Sequence, residues 1–365
     1  MNRAIFTEMK QNQYRVLGVM SGTSLDGIDL AVVSLQAPTE GRDNHWSFSL
    51  EETQTIPYDP TWKHILREAV HFSEGRLQQL NHKYTHYLAS VIKEHFGQTT
   101  LQGFDAVCSH GHTILHEPDK GYTLQIGNQQ ALASLLQTTV VCDFRVADVD
   151  LGGQGAPLVP VGDRLLFSEY NYCLNLGGFA NCSFEYQGKR IAYDICPVNI
   201  VLNRYAEKLG FEYDASGALA ASGTINEELL EQLNSLSFYK QKPPKSLGIE
   251  WVLQEMFPLL NASEEPPKNI LRTVTEHIAV QLSRQFNPQA TVLVTGGGAY
   301  NDYLLNRLRI HSRATYILPE KQLIDFKEAL VFALLGVLRL RGEANCLSSV
   351  TGASKDHSSG VIYKP

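Results

Sequence analysis

The sequence has no uninterrupted apolar stretch near the ~18 residues that a helix needs to cross a bilayer. It has no surplus of positive charge either: 31 Lys and Arg stand against 38 Asp and Glu, a formal net charge of -7, and no basic run creates a local patch. Nucleic acid and anionic membrane surfaces are therefore poor partners on electrostatic grounds. The six cysteines, Cys108, Cys142, Cys173, Cys182, Cys196 and Cys346, include no C-x-x-C pair, which argues against a zinc site. The opening "MNRAIFTEMKQNQY" lacks the continuous apolar core of a secretion signal. Together these absences lead us to expect a reduced, cytoplasmic protein.

What is present is a globular chain of 365 residues, 43% hydrophobic and 19% charged, too long for one core to grow efficiently. Strand-like runs alternate with helical ones, which predicts an α/β fold with partly parallel sheets. Near residue 170 the strand–turn–strand opening restarts, so two related domains facing a shared cleft are expected. We place the first at residues 1–150, rejoined by 342–365, and the second at 151–341.

Between the apolar runs "YRVL" and "LAVVSL" lies "GVMSGTSLDGID", residues 18–29. A hairpin needs only a residue or two that tolerate positive φ. The surplus of Gly22, Thr23, Ser24, Leu25, Asp26, Gly27, Ile28 and Asp29 offers main-chain N–H groups and hydroxyls suited to phosphate, with Asp26 and Asp29 able to hold Mg2+ through water. A merely polar hairpin is the plain alternative. Gly177 and Gly178 occupy the same place in the second half. A buried strand, "VLVT", runs into Gly296, Gly297 and Gly298 ahead of a helix start, where backbone can approach a ligand closely.

"SHGHTILHEP" brings His110, His112 and His116 together; a pocket wall is a better reading than a metal site, for no second ligand cluster lies nearby. "CDFRVAD" sets Asp143, Arg145 and Asp148 just after a strand, where α/β folds keep ligand contacts, although an internal ion pair of Arg145 with an aspartate would also explain them. Asp194, in "AYDICPVN", ends a strand and suits either a helix cap or a general base.

In order along the chain, "GVMSGTSLDGID", "SHGHTILHEP", "LQIG", "DFRVAD", "LGGQGAPLVP", "NLGGFAN", "VTGGGAYN" and "SSVTGAS" resemble the bacterial anhydro-N-acetylmuramic acid kinases. The resemblance implies an actin-like, hexokinase-like fold of two ribonuclease-H-like domains around a nucleotide cleft. It implies ATP and Mg2+ as cofactors. The substrate would be the amino sugar 1,6-anhydro-N-acetylmuramic acid, opened by water at C1 and phosphorylated on O6 to N-acetylmuramic acid 6-phosphate in cell-wall recycling. On this pattern Asp194 falls on the catalytic base, and His110, His112, Arg145, Asn199 and Glu328 on sugar-side positions. The two hairpin turns would hold phosphate and Gly296–Gly298 the adenosine side. The family pattern D-T-G-P-x-N reads "DICPVN" here, with Ile195 for threonine and Cys196 for glycine, while Asn203 and Asn128 stand where aspartates are usual. A kinase for another amino sugar and an idle nucleotide-binding regulator are the alternative readings, and a homodimer is left open.

Overall fold

One strand order, used twice, organises the chain. The structure is a computed structural model and describes residues 12–22, 24–39 and 45–365. Two units result: Met1–Leu166 with Phe326–Pro365, and Phe167–Asp325.

In unit 1 an antiparallel meander comes first: β1 (Gln13–Ser21), β2 (Gly27–Gln36) and β3 (Ser47–Pro57). Two helices follow, α1 (Pro60–Glu68) and α2 (Glu74–Leu101). Asp59 caps α1 by accepting the Trp62 N–H at 2.9 Å, with Pro60 at the first turn, a start worth about 1 kcal/mol. The chain then returns as β4 (Ala106–Glu117), parallel to β1, and β5 (Tyr122–Ile126) folds back on the end of β4. After α3 (Gln130–Leu136), β6 (Val140–Cys142) lies parallel to β4, and β12 (Val361–Tyr363) closes that edge antiparallel to β6. The path β12-β6-β4-β1-β2-β3 buries Leu17, Ile28, Leu30 and Val107 completely, as central strands covered on both faces require.

Two short helices interrupt the segment that the sequence shows only as a Gly-rich stretch: α4 (Val146–Asp150) and α5 (Val159–Leu166). They are too short to display a helical period.

Unit 2 repeats the plan. Strands β7 (Tyr172–Leu176), β8 (Phe179–Tyr186) and β9 (Lys189–Pro197) form the antiparallel meander. Helix α6 (Asn199–Glu207) and the long helix Pro267–Ser283 follow, then β10 (Thr291–Thr295) parallel to β7 and β11 (Thr315–Ile317) parallel to β10. Its order, β9-β8-β7-β10-β11, matches β3-β2-β1-β4-β6 strand for strand. Each unit is therefore ribonuclease-H-like, and the chain has the two-unit α/β architecture of actin-like and hexokinase-like ATPases.

The changeovers fall at 166/167 and 325/326, not at the 150/151 and 341/342 expected from sequence. The cause is packing of the helix Lys321–Arg341, most of which belongs to unit 1. A Cβ on Gly18 would collide with the Ala329 carbonyl, one on Gly336 with Cys108, and one on Gly162 with Val331. The helix therefore lies directly on β1 and β4, and α5 lies on the helix. A buried ion pair, Lys327 Nζ to Asp163 Oδ1 at 2.7 Å, joins the last two. Among the described residues no helix is long and apolar enough to cross a membrane.

Candidate active site

The first hairpin is tighter than the sequence implied, because β1 and β2 extend into the motif and leave 22–26 as its loop. Thr23 lies outside the described residues. Leu25 takes a positive φ of 62° and donates its N–H to the Gly22 carbonyl at 3.3 Å, closing the turn. The side chains of Leu25 and Ile28 belong to the core, so these residues can offer a ligand only backbone. Ser24 and Asp26 are exposed, and Asp29 is half-buried with Thr55 Oγ1 donating to its Oδ1 at 2.6 Å. Gly27 is a glycine for the fold's sake, since a Cβ there would strike the Ile56 carbonyl on β3.

Where β4 ends, unit 1 assembles a buried polar wall. Arg145 Nε donates to His110 Nε2 at 2.9 Å, and Arg145 Nη1 donates to the Gly155 carbonyl at 2.7 Å. A guanidinium only donates, so Nε2 accepts and the His110 proton sits on Nδ1, facing the Gly111 carbonyl at 3.0 Å. Burial, and then the Arg145 charge, hold His110 well below its ordinary value and keep it neutral. The partners of Arg145 are thus a histidine and a carbonyl instead of the aspartate that an internal ion pair would use. Asn128 braces the same turn, donating from Nδ2 to the His110 carbonyl at 3.1 Å.

His112 belongs to a different network. Its Nδ1 lies 2.7 Å from Ser21 Oγ, which lies 2.6 Å from the Tyr58 hydroxyl, itself bonded to Tyr84. Burial lowers His112 to about 4. Ser21 is the last residue of β1, so this chain anchors the hairpin from behind. Tyr58 and Tyr84 escaped the sequence reading because nothing local marks them. His116 pairs with Thr123 at 3.2 Å, on the β4–β5 hairpin.

Glu328 comes from the helix Lys321–Arg341. Surrounding protein pushes its carboxyl up, Arg145 pulls it down and Asp29 pushes it up again, for a net rise. Its surface is nevertheless open to solvent, which screens these charges. Arg145 and Asp29 are therefore both near enough to Glu328 to act on its charge.

In unit 2 the glycines divide by what a side chain would meet. Gly296 has φ 83°, and its Cβ would stand 2.6 Å from Asn175 Oδ1; Gly298 would press Leu176 at 2.7 Å. Both are required by the fold. Gly297 and Gly178 have room, their nearest neighbours being Asn199 Nδ2 at 3.7 Å and Ile200 Cβ at 3.9 Å, and Gly177 is intermediate at 3.2 Å. Space kept open beside a turn is what close approach of a ligand requires. Asn199 joins the two turns: its N–H donates to the Gly177 carbonyl and its Nδ2 to the Leu176 carbonyl at 3.2 Å, beside Gly297. Its side chain is thus engaged with the glycine turns of unit 2.

Asp194 stands on β9 at a β-bulge. The register passes from Ala180↔Cys196 to Asn181↔Asp194, which leaves Ile195 as the extra residue. Ile195 and Cys196 turn into the core of unit 2, at 1% and 0% exposure. These two departures from the family pattern therefore fill core positions. Asp194 itself stays half-buried. Its N–H donates to the Lys245 carbonyl at 3.0 Å, and the Leu247 N–H donates to Oδ2 at 2.8 Å. Oδ1 has no protein hydrogen-bond partner among the described residues. Burial raises the carboxyl, partly offset by Leu247. Asp194 does not cap α6, whose N-cap position is Val198 with no side-chain bond. The Lys245–Leu247 strap was invisible in sequence because it acts through main-chain atoms.

A sequence model of the family described as anhydro-N-acetylmuramic acid kinase matches residues 14–365. Curated relatives of that name are similar along their whole length. The one from Aliivibrio fischeri is 32% identical over 96% of this chain and 99% of its own. That from Vibrio cholerae is 34% identical over 96% and 98%, and that from Pseudomonas fluorescens 35% over 95% and 98%. With so long a match on top of the twice-used strand order, the chain belongs to the anhydro-N-acetylmuramic acid kinase family.

Proposed function

We propose that this protein uses ATP and water to convert 1,6-anhydro-N-acetylmuramic acid into N-acetylmuramic acid 6-phosphate. The observation that carries the reading beyond family membership is Asp194: one carboxylate oxygen is pinned by a main-chain N–H and the other is left to accept a proton. Its raised affinity for protons strengthens it as a base.

In the proposed reaction Asp194 Oδ1 takes a proton from water as the water oxygen bonds to C1. The C1–O6 bond breaks, O6 bonds to the γ-phosphorus, and the bond from that phosphorus to the β-bridging oxygen breaks to release ADP. Arg145, His110 and Glu328 orient the sugar, with His110 neutral and its tautomer set by Arg145. Gly297 and Gly178 leave backbone open to the nucleotide. The donors near the first hairpin are carboxylate oxygens, exposed at Asp26 and half-buried at Asp29, a set that fits Mg2+ held through water. When bound, Mg2+ neutralises phosphate charge. Cytoplasmic residence fits a substrate released by cell-wall turnover and a phosphorylated product.

Turnover in oxygen-18 water tests the reading. Label is expected on C1 of the sugar, analysed before anomeric exchange, and none in the phosphoryl group. A kinase acting on a simple hydroxyl would label neither product, and an idle ATPase would label only inorganic phosphate. Either result overturns the proposal.

A further inference from the structure

Three side chains from distant parts of unit 1 converge behind the segment that carries Arg145. Cys346 and His357 face each other across an isolated antiparallel bridge, each N–H donating to the other's carbonyl at 3.1 and 3.2 Å. Residues directly opposed in this way send their side chains to the same face. Asp148, from α4, meets them there. One potential ligand atom from each of Asp148, Cys346 and His357 lies within 4.8 Å of the others. Asp148 is fully buried and the His357 side chain retains only 8% exposure.

The hydrogen bonds around the cluster leave one group unexplained. Asp148 Oδ2 accepts the Gly155 N–H at 2.7 Å, and Oδ1 accepts the Thr351 hydroxyl at 2.7 Å. His357 Nδ1 lies 3.1 Å from the Lys355 carbonyl. A carbonyl only accepts, so Nδ1 carries the proton and donates. Nε2 is buried without a hydrogen-bond partner, 3.6 Å from Asp148 Oδ1. In the neutral ring its lone pair faces a carboxylate, two acceptors with no donor between them. A cation between them relieves that opposition, and the tautomer fixed by a backbone carbonyl is the usual preparation of a metal-binding histidine.

We propose that Asp148, Cys346 and His357 form a site for a divalent transition ion of the zinc class, with a fourth position left to water. Mixed oxygen, sulfur and nitrogen donors suit zinc, and the sulfur disfavours magnesium and calcium. Burial keeps the Cys346 thiol protonated, pushed up to about 12. Binding replaces the S–H bond with a sulfur–metal bond and releases the proton to solvent. The ion would tie the carboxyl-terminal segment to Asp148, which holds Gly155, whose carbonyl in turn receives Arg145.

The test uses the full chain, stripped with a chelator and reloaded with Zn2+ or with Co2+ as a spectroscopic probe. One equivalent of zinc should resist a chromophoric competitor. The cobalt form should show thiolate-to-cobalt charge transfer together with the intense visible bands of a four-coordinate ion. Cys346→Ser should abolish the charge-transfer band and weaken zinc binding by more than ~100-fold, beyond the effect of altering a neighbour of a ligand. His357→Gln should weaken zinc equally, and it stands in should Cys346→Ser fail to fold. Three results would overturn the site: a wild-type chain that holds no zinc, equal zinc affinity in wild type and either variant, or a cobalt spectrum without thiolate charge transfer.

Discussion

The two sheets share one strand order but place different chemistry at equivalent positions. In unit 1 the first hairpin closes through residues 22–26 with exposed Ser24 and Asp26, whereas in unit 2 the corresponding turn is Gly177 and Gly178. Strand β4 delivers His110 and His112, while its counterpart β10 ends at Thr295 and delivers three glycines. The third strand of each unit carries a bulge, at Glu51 on β3 and Ile195 on β9, but β3 is an exposed, polar edge whereas β9 presents Asp194 beside its bulge. Topological position thus sets where a functional group can be presented, and local sequence sets which group it is.

Asp194→Asn should produce the largest change. It removes the base and preserves shape, so turnover should fall ~10²- to 10⁴-fold. Nucleotide affinity measured by calorimetry should stay within error, because no glycine turn is touched. Weakened nucleotide binding would make unit 2's aspartate part of the binding surface and break the division drawn above.

A pair of valine substitutions sharpens the contrast between glycines. Gly27→Val must displace β3 backbone and should cost roughly 1–3 kcal/mol of stability, read as a lowered Tm. Gly297→Val has space within the protein and should leave Tm nearly unchanged while reducing ATP affinity. Equal Tm losses would show that both glycines serve only the fold.

The smallest effects should appear in pH dependence. His112 is held near 4 in the folded chain against ~6.5 unfolded, so the unfolded state binds more protons between these values. Stability falls as pH drops through that window, and His112→Gln should flatten part of the slope. In unit 2, burial pushes Glu276 up, but hydrogen bonds from Arg307 at 2.6 Å and His311 at 2.6 Å outweigh it and lower its value. Its contribution is complete above ~4.3 and fades as pH falls further, so only below that value should the wild type converge on Glu276→Gln. Calorimetric melts across pH 3–7 separate the two windows.

Local pattern made much of this legible. The strand–turn–strand openings, the glycine turns and the helix Pro267–Ser283 all declare themselves within short windows. Asp194 stood out only as a polar residue at a strand end, and the resemblance supplied its role. The Leu247 N–H, the Ser21–Tyr58–Tyr84 chain and the Asp148–Cys346–His357 cluster bring together residues far apart in sequence. No periodicity encodes such meetings. The direction of Ile195 and Cys196 was hidden for another reason: in an unbroken strand Asp194 and Cys196 would share a face, and the bulge resets that alternation.

Because the chain has one residue to spare at Ile195, positions 195 and 196 answer to the core while position 194 turns its charge away from it. The two demands are mechanically uncoupled. Exchanges there, such as isoleucine for threonine and cysteine for glycine, change what fills the core without turning position 194 to the other face, much as slack in a belt lets one pulley be changed without retiming the other. Letters that look like erosion of a motif then record a change of filling behind an edge that still presents its carboxylate.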